Sequence, residues 1–399
     1  MDTFTEVTRR GLFGRLGQSI KGIVFGAVLF LASFPVLFIN EGCAVKDHKR
    51  LAEARKAAVE LSSTSVLAEN EGRLVVVSGE ATTDEEVRDP QFQVQVAALR
   101  LERRAEMYQW KEQTSTKTRK NVGGSETKET EYRYEKTWSR NVINSGSFKR
   151  SQGHENPSSM PVTSEEFQAK VIQLGDFLLP ADLSRKIRND EDIVLTEQDL
   201  TKMSAEDQAR FKLHDGGLYL GESPGSPAIG DVRVRFEQVL PTDVTVRSAQ
   251  RGSSFEPWAS SNGGEVHEIR MGLLTADEMN EKAVTAAKLR TWAVRLGGFL
   301  IMGMGLATIV GPLAVIGDVI PFVGSLIRGA SGFVAFALAG VLSLIVIAIA
   351  WFTYRPMLSI PLLVGAGALA WWVASRGKGE ASGSPPPMES DSTPPPMNF

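Results

Sequence analysis

Apolar residues in this chain are concentrated in four stretches that carry no formal charge. No Asp, Glu, Lys or Arg occurs in residues 22–40, 296–317, 329–354 or 356–375, gaps of 19, 22, 26 and 20 residues. A bilayer core roughly 30 Å thick is crossed by about 20 helical residues, so each stretch predicts a membrane-spanning helix. Residues 333–352 give the strongest signal, being Ala, Val, Leu, Ile and Phe on nearly every face. Gly303, Gly305, Gly311 and Pro312 interrupt the second stretch, and lipid tolerates both residue types in a helix. Pro356, Ser359 and Pro361 weaken the fourth, whose end near Trp371 and Trp372 suits a membrane–water interface.

Residues 41–290 are polar enough for a soluble domain and numerous enough to bury their own core. A helical mix of Ala, Glu, Lys and Leu over 46–67 gives way to strand patterns. Leu74, Val75, Val76 and Val77 form a β-branched run. Phe92, Val94 and Val96 alternate with glutamines. Tyr132, Tyr134 and Trp138 alternate with polar residues, and Val232, Val234 and Phe236 do the same before Val244 and Val246, with Val266 and Ile269 closing the series. Residues 94–111 and 131–142 predict the arms of a long hairpin whose polar tip, 112–130, is expected to be mobile. Residues 164–213 predict short helices. Thr275 and Glu278 have capping-box spacing, opening a helix that is expected to run unbroken into the second apolar stretch.

The predicted fold is a multi-pass α-helical membrane protein with four transmembrane helices and a large β-rich α+β soluble domain inserted between helices 1 and 2. Its parts are an amphipathic basic N-terminal segment (1–21), helix 1 (22–40), the β-rich domain (41–290), helix 2 (291–317), an interfacial segment (318–329), helix 3 (330–353), helix 4 (357–375) and a disordered Pro-rich tail (376–399). Leu12, Phe13, Leu16 and Ile20 recur at helical spacing among Arg9, Arg10, Arg15 and Lys21, the pattern of an interfacial helix favouring anionic lipid. Arg9-Arg10 also resembles a twin-arginine signal. No small-residue cleavage site follows the apolar run, so an uncleaved anchor is expected. Gly22 and Gly26, and Ala307 and Gly311, are small-xxx-small pairs that let helices approach closely, within one chain or between copies. Asp318, Arg328 and Arg355 are expected at the membrane interface. The tail repeats Ser384-Pro-Pro-Pro-Met388 as Thr393-Pro-Pro-Pro-Met397, a polyproline-II signature.

Composition removes several classes. The chain has 399 residues, and its 44 Lys+Arg against 47 Asp+Glu leave a net charge of −3. That excludes a bulk basic nucleic-acid binder, and no nucleic-acid partner is expected. The single cysteine, Cys43, excludes an intrachain disulfide framework or Cys-rich zinc site. His48, His154, His214 and His267 are scattered, and neither His154-Glu155 nor His267-Glu268 has a second His four residues on, as a zincin would. No G-x-S-x-G or P-loop occurs. No catalytic residue, metal or cofactor is therefore expected. Glu106, Tyr108 and Trp110 share one face of a strand, which reads as sheet packing around a satisfied carboxylate. Basic residues flank both ends of helix 1, so charge counting does not orient the chain.

Seven strings carry a family resemblance. They are Asn40-Glu41-Gly42, Glu69-Asn70-Glu71-Gly72-Arg73-Leu74-Val75, Glu106-Met107-Tyr108-Gln109-Trp110, His154-Glu155-Asn156-Pro157-Ser158, Gly230-Asp231-Val232-Arg233-Val234, Leu289-Arg290-Thr291-Trp292 and Tyr354-Arg355-Pro356. In this order the chain resembles the LUMA family, also called transmembrane protein 43, over nearly its whole length. Arg9-Arg10 and the Pro-rich tail fall outside the resemblance. Cys43 stands where the family carries Arg.

The resemblance implies a non-enzymatic scaffold that self-associates and organises other membrane or envelope proteins. It also implies the inner nuclear membrane and endoplasmic reticulum in a eukaryote, or the cytoplasmic membrane in a bacterium, with the large domain lumenal or periplasmic. Membrane lipids and a second copy of the chain are the expected partners. Two rival readings are a bacterial membrane-perturbation sensing or defence module acting through Arg9, Arg10 and Arg15, and an intramembrane transport or enzyme role around Asp318 and Arg328.

Overall fold

The computed structural model describes residues 2–121, 125–317 and 321–357. Eleven elements position everything that follows. In chain order they are strand β1 (Asp2–Arg10), helix α1 (Leu12–Ala57), and strands β2 (Val59–Ser62), β3 (Leu74–Thr82), β4 (Arg100–Lys120), β5 (Glu126–Ser139), β6 (Val232–Val239), β7 (Thr242–Arg251) and β8 (Glu268–Met271). Helices α2 (Ala276–Gly317) and α3 (Pro321–Tyr354) complete the set.

Two sheets share one core. The first runs β1-β5-β4-β6 and continues through Gly217–Leu220 and Phe211–His214, with Asp190–Ile193 on β6 and Glu165–Gln168 on β4. The second is built on β3 and β7, with β2 parallel to β3 and β8 antiparallel to β7. Alternation fixes the facing of β6: Val232, Val234 and Phe236 turn inward, and Arg233 and Arg235 turn out. Val75, Val77, Val244 and Val246 of the second sheet meet Leu101, Ala105, Met107 and Phe236 of the first. Strand β7 is buried along most of its length, with Arg247 reaching Asn280 of α2 and Thr245 bonded to Gly272 and Leu274.

The hairpin is longer than its pattern suggested. Strands β4 and β5 stay in register as far as Lys120 opposite Glu126, so most of the polar stretch expected as a mobile tip is paired backbone. Threonines at positions 114, 116, 118, 127 and 130 supply β-branched residues that strands accept. Within 164–213 short helices do occur, at Ala181–Ser184, Glu197–Lys202 and Ala205–Arg210, but strand Glu165–Gln168 precedes them and strand Asp190–Ile193 lies between the first two. Phe92 and Val94 fall in a turn at Gln93, whose φ is 57°, and not in a strand.

Three helices have stretches long and apolar enough to cross a membrane: Lys21–Ala57, Ala276–Pro312 and Ser331–Tyr354. Together with the β-rich domain they make an integral membrane protein. The fourth expected helix and the tail lie outside the described residues. Residues 321–329, expected as an interfacial segment, are the opening turns of α3. At the N-terminus, residues 2–10 form strand β1 on the hairpin, so the helix that follows includes Arg15 but not Arg9 or Arg10.

Helices α1 and α2 pack antiparallel. A Cβ on Gly26 would sit 2.7 Å from the Gly305 carbonyl oxygen, and one on Gly305 would sit 2.7 Å from the Phe30 nitrogen. The two backbones therefore touch, as small residues permit. Leu37, Met302, Ala339 and Val346 form the apolar centre where α3 joins them.

Candidate functional site

The junction between the helices and the β-rich domain is held by polar contacts, buried at Glu41 and exposed at Arg55–Asp277. Glu41 ends the first charge-free stretch and Arg295 precedes the second. Packing α1 against α2 brings them together, with Arg295 Nε and Nη2 donating to the Glu41 carboxylate at 2.6 and 2.8 Å. Trp351 Nε1 of α3 donates to the same carboxylate at 2.8 Å. The Glu41 side chain is fully buried. An unpaired carboxylate there would carry the full desolvation penalty, so this contact fixes the register of three helices at once.

The clasp continues toward the domain. Asn40 Nδ2 donates to the Thr291 carbonyl at 3.3 Å. Asp47 accepts from Arg50 at 2.8 Å and also pairs with Arg290. Glu53 accepts from Ser260 Oγ, the Ser261 amide and Asn262 Nδ2. Arg55 Nε donates to Asp277 at 2.9 Å. The capping box forms as its spacing predicts, with the Thr275 amide donating to Glu278 at 2.8 Å and the Glu278 amide donating to Thr275 Oγ1 at 3.3 Å.

Three of the seven family strings converge on this junction. Besides the Asn40–Thr291 bond, Gly42 lies so close to Tyr354 that a Cβ would come within 2.7 Å of the ring. Three other strings converge on the outer face of the first sheet. The Asn156 side chain accepts from the Trp110 amide at 2.7 Å and donates to the Trp110 carbonyl at 2.9 Å. The Gly230 amide donates to the Tyr108 carbonyl, and Arg233 pairs with Glu106 at 2.7 Å. Residues far apart in sequence thus form two contiguous clusters.

Comparison with known proteins agrees with that pattern. The family described as Transmembrane protein 43 matches residues 107–356. Transmembrane protein 43 of Mus musculus is 33% identical over 383 residues, 93% of this chain and 94% of that protein. The Homo sapiens protein is 32% identical over 375 residues, 91% of this chain and 92% of its own. The chain belongs to the transmembrane protein 43 family. A Drosophila melanogaster homologue of transmembrane protein 43 is 29% identical, covering 88% of this chain and 93% of that protein. No solved structure matches.

For this family member the sites expected from sequence fall as follows. Gly22 and Gly26 face α2 of the same chain, at Thr308 and Gly305. Ala307 and Gly311 are half-buried on α2. Arg9 and Arg10 stand opposite Thr127 and Glu126 in strand pairing. Arg15 and Arg328 lie within α1 and α3. Asp318 lies outside the described residues. Arg355 follows α3, stacks its guanidinium 5.9 Å from the Trp351 ring, and lines a 220 Å³ cavity with His48, Trp292 and Arg295. Cys43 is exposed. Glu41, Arg295 and Trp351 were not singled out in the sequence for chemistry. The available signal was that opposite charges bracket adjacent apolar stretches.

One arrangement in the domain has the order of a nucleophilic triad. Ser248 Oγ lies 2.6 Å from His267 Nδ1, and His267 Nε2 lies 2.7 Å from Asp182. Ser248 is fully buried in β7, and its hydroxyl also donates to the Glu256 carbonyl. No substrate carbonyl reaches an oxygen so placed, so the three residues tie β7 to its neighbours. His154 is equally enclosed, stacked on Tyr134 at 4.0 Å and edge-on to Trp110 at 4.7 Å. Among the described residues no three His, Cys, Asp or Glu side chains gather as metal ligands would.

Proposed function

We propose that this chain is a non-enzymatic membrane scaffold that self-associates and organises other membrane proteins. Its four spanning helices are 22–40, 291–317, 330–353 and 357–375, and the β-rich domain is inserted between the first two. The domain lies on the lumenal side of a nuclear-envelope or endoplasmic-reticulum membrane in a eukaryote, or on the periplasmic side in a bacterium. The observation that carries this reading is the clasp: α1 and α2 continue without a break from their apolar stretches to the second sheet, joined through Glu41, Asp47 and Glu53. A domain so held keeps one orientation to the bilayer, which is what a scaffold presents to its partners.

Two measurements test it. Light scattering of the full chain in mild detergent, across a concentration series, is expected to show an oligomer; monomer throughout overturns self-association. In a Cys43→Ser background, Ser125→Cys at the hairpin tip is expected to react with an impermeant maleimide only from the exoplasmic side. Labelling from the cytosol overturns the assigned sidedness.

A further inference from the structure

Above the Glu41 contact, the first four turns of α2 leave a cavity of 350 Å³ between α1, α2 and the outer face of the second sheet. Ala283, Ala286 and Ala287 form its helical wall, so small side chains keep it open. Four arginines line it: Arg50, Arg247, Arg270 and Arg290. Glu265 and Glu268 face them, and Asp47 pairs with Arg50 and Arg290 from the side, yet the balance remains positive. Arg247 is nearly fully buried, with Nε donating to Glu268 at 2.8 Å and Nη1 to Asn280 at 3.3 Å. Arg247 Nη2 pairs with Glu268, whereas Arg50 Nε and Arg270 Nε are each buried without a hydrogen-bond acceptor. Unmet guanidinium donors at one place are an anion-binding arrangement.

A second space shares Arg50 and Arg290 with this one. It is an open groove of 630 Å³ running toward the apolar stretch of α1, with Val36, Ile39 and Val294 on its walls and Lys46 at its upper end. Gly264 closes the top at φ +82°, where a Cβ would collide with Arg50, so the turn is shaped around that guanidinium. Positive charge above and an aliphatic trough below, at the edge of a membrane stretch, match one amphipathic anion.

We propose that the arginine-lined cavity and the groove beneath it bind one anionic glycerophospholipid, its phosphate among Arg50, Arg270 and Arg290 and its acyl chains along Val36, Ile39 and Val294. The proposal does not rest on self-association or on the basic N-terminus. The shared chemistry is a phosphate oxyanion; the aliphatic groove commits it to a lipid.

The test is thermal unfolding of the full chain in uncharged detergent micelles, titrated separately with dioleoyl phosphatidate, dioleoyl phosphatidylcholine and inorganic phosphate. A ligand of the folded state raises the unfolding temperature saturably. Phosphatidate is expected to do so and the other two are not. Ala286→Leu, which fills the cavity, and Arg270→Gln, which removes a charge-assisted donor, are each expected to weaken phosphatidate binding about tenfold or more. Arg9→Gln with Arg10→Gln is expected to leave it unchanged. An equal response to inorganic phosphate overturns the lipid assignment. Full affinity in both Ala286→Leu and Arg270→Gln, or its loss in the N-terminal variant, overturns the site. If Ala286→Leu does not fold, Arg270→Gln decides alone.

Discussion

Glu41 is a single carboxylate on which three helices depend, and its removal separates a pairing role from mere polarity. In Glu41→Ala the guanidinium of Arg295 and the indole of Trp351 lose their shared acceptor. Breaking a buried pair by deleting one partner costs about 3–5 kcal/mol. Thermal unfolding in detergent is expected to show that loss, with the double variant Glu41→Ala, Arg295→Met recovering part of it. No recovery would mean the two residues act separately. In the domain, Tyr134 makes a different prediction. Burial, and then the Glu112 carboxylate that accepts its hydroxyl proton at 2.8 Å, push its pKa from 10.0 up to about 12. Tyr219 is also raised, by burial and Asp231. The folded state therefore holds these protons after the unfolded chain has released them. Their stabilisation is complete below pH 10 and is lost as pH rises toward about 12 for Tyr134. Denaturant unfolding from pH 9 to 11.5 should show that decline, reduced in Tyr134→Phe. None of these pairings was readable from sequence spacing, because Glu41 and Arg295 are 254 residues apart and only the fold unites them.

At the scale of elements, α1 and α2 act as one rod whose closest approach is Gly26 against Gly305. Gly305→Val places a branched side chain where even a Cβ meets the Phe30 backbone at 2.7 Å. Backbone cannot rotate aside, so the cost should reach about 3 kcal/mol, the upper range for overpacking. Gly297→Val, at a glycine with open space around its Cβ position, is the control and should be tolerated far better in the same unfolding assay. The elements divide by how legible they were. The first three apolar stretches, the Thr275 cap and strands β3, β5, β6 and β7 were readable, because long periodicity and capping chemistry are local signals. The extent of the hairpin was not. Its outer third is polar on both faces, and cross-strand pairing between residues such as Thr116 and Thr130 sustains it where no core does. Strand β1 was missed for a related reason. Residues 2–10 alternate weakly, and their partner, β5, begins 116 residues beyond Arg10.

At the scale of the whole molecule, β1 and the bilayer make competing demands. Arg10 stands opposite Glu126 at the hairpin tip, and α1 begins two residues later. That helix has 46 residues and ends beside the second sheet, a length of about 69 Å. The hairpin arm β4 has 21 residues and spans about 70 Å, so helix and hairpin reach equally far. Under the proposed topology the middle of α1 is surrounded by lipid. A hairpin paired with β1 would then place Glu131, Arg133, Glu135 and Lys136 at the depth of hydrocarbon, where charge is strongly disfavoured. Crossing by α1 and pairing of β1 with β5 therefore exclude one another in a single copy. A crosslink resolves which state holds. Thr5 and Glu131 are directly opposed, close enough for a disulfide between paired strands. With Cys43→Ser, Thr5→Cys and Glu131→Cys, oxidation is expected to join the two positions in detergent, where no bilayer separates them. In sealed native membranes the same chain should stay unlinked, and solubilising it before oxidation should restore the link. An intramolecular link formed inside sealed membranes would put residues 2–10 on the domain's side. The first apolar stretch would then enter and leave the same leaflet, and both chain termini could no longer be assigned by counting four crossings.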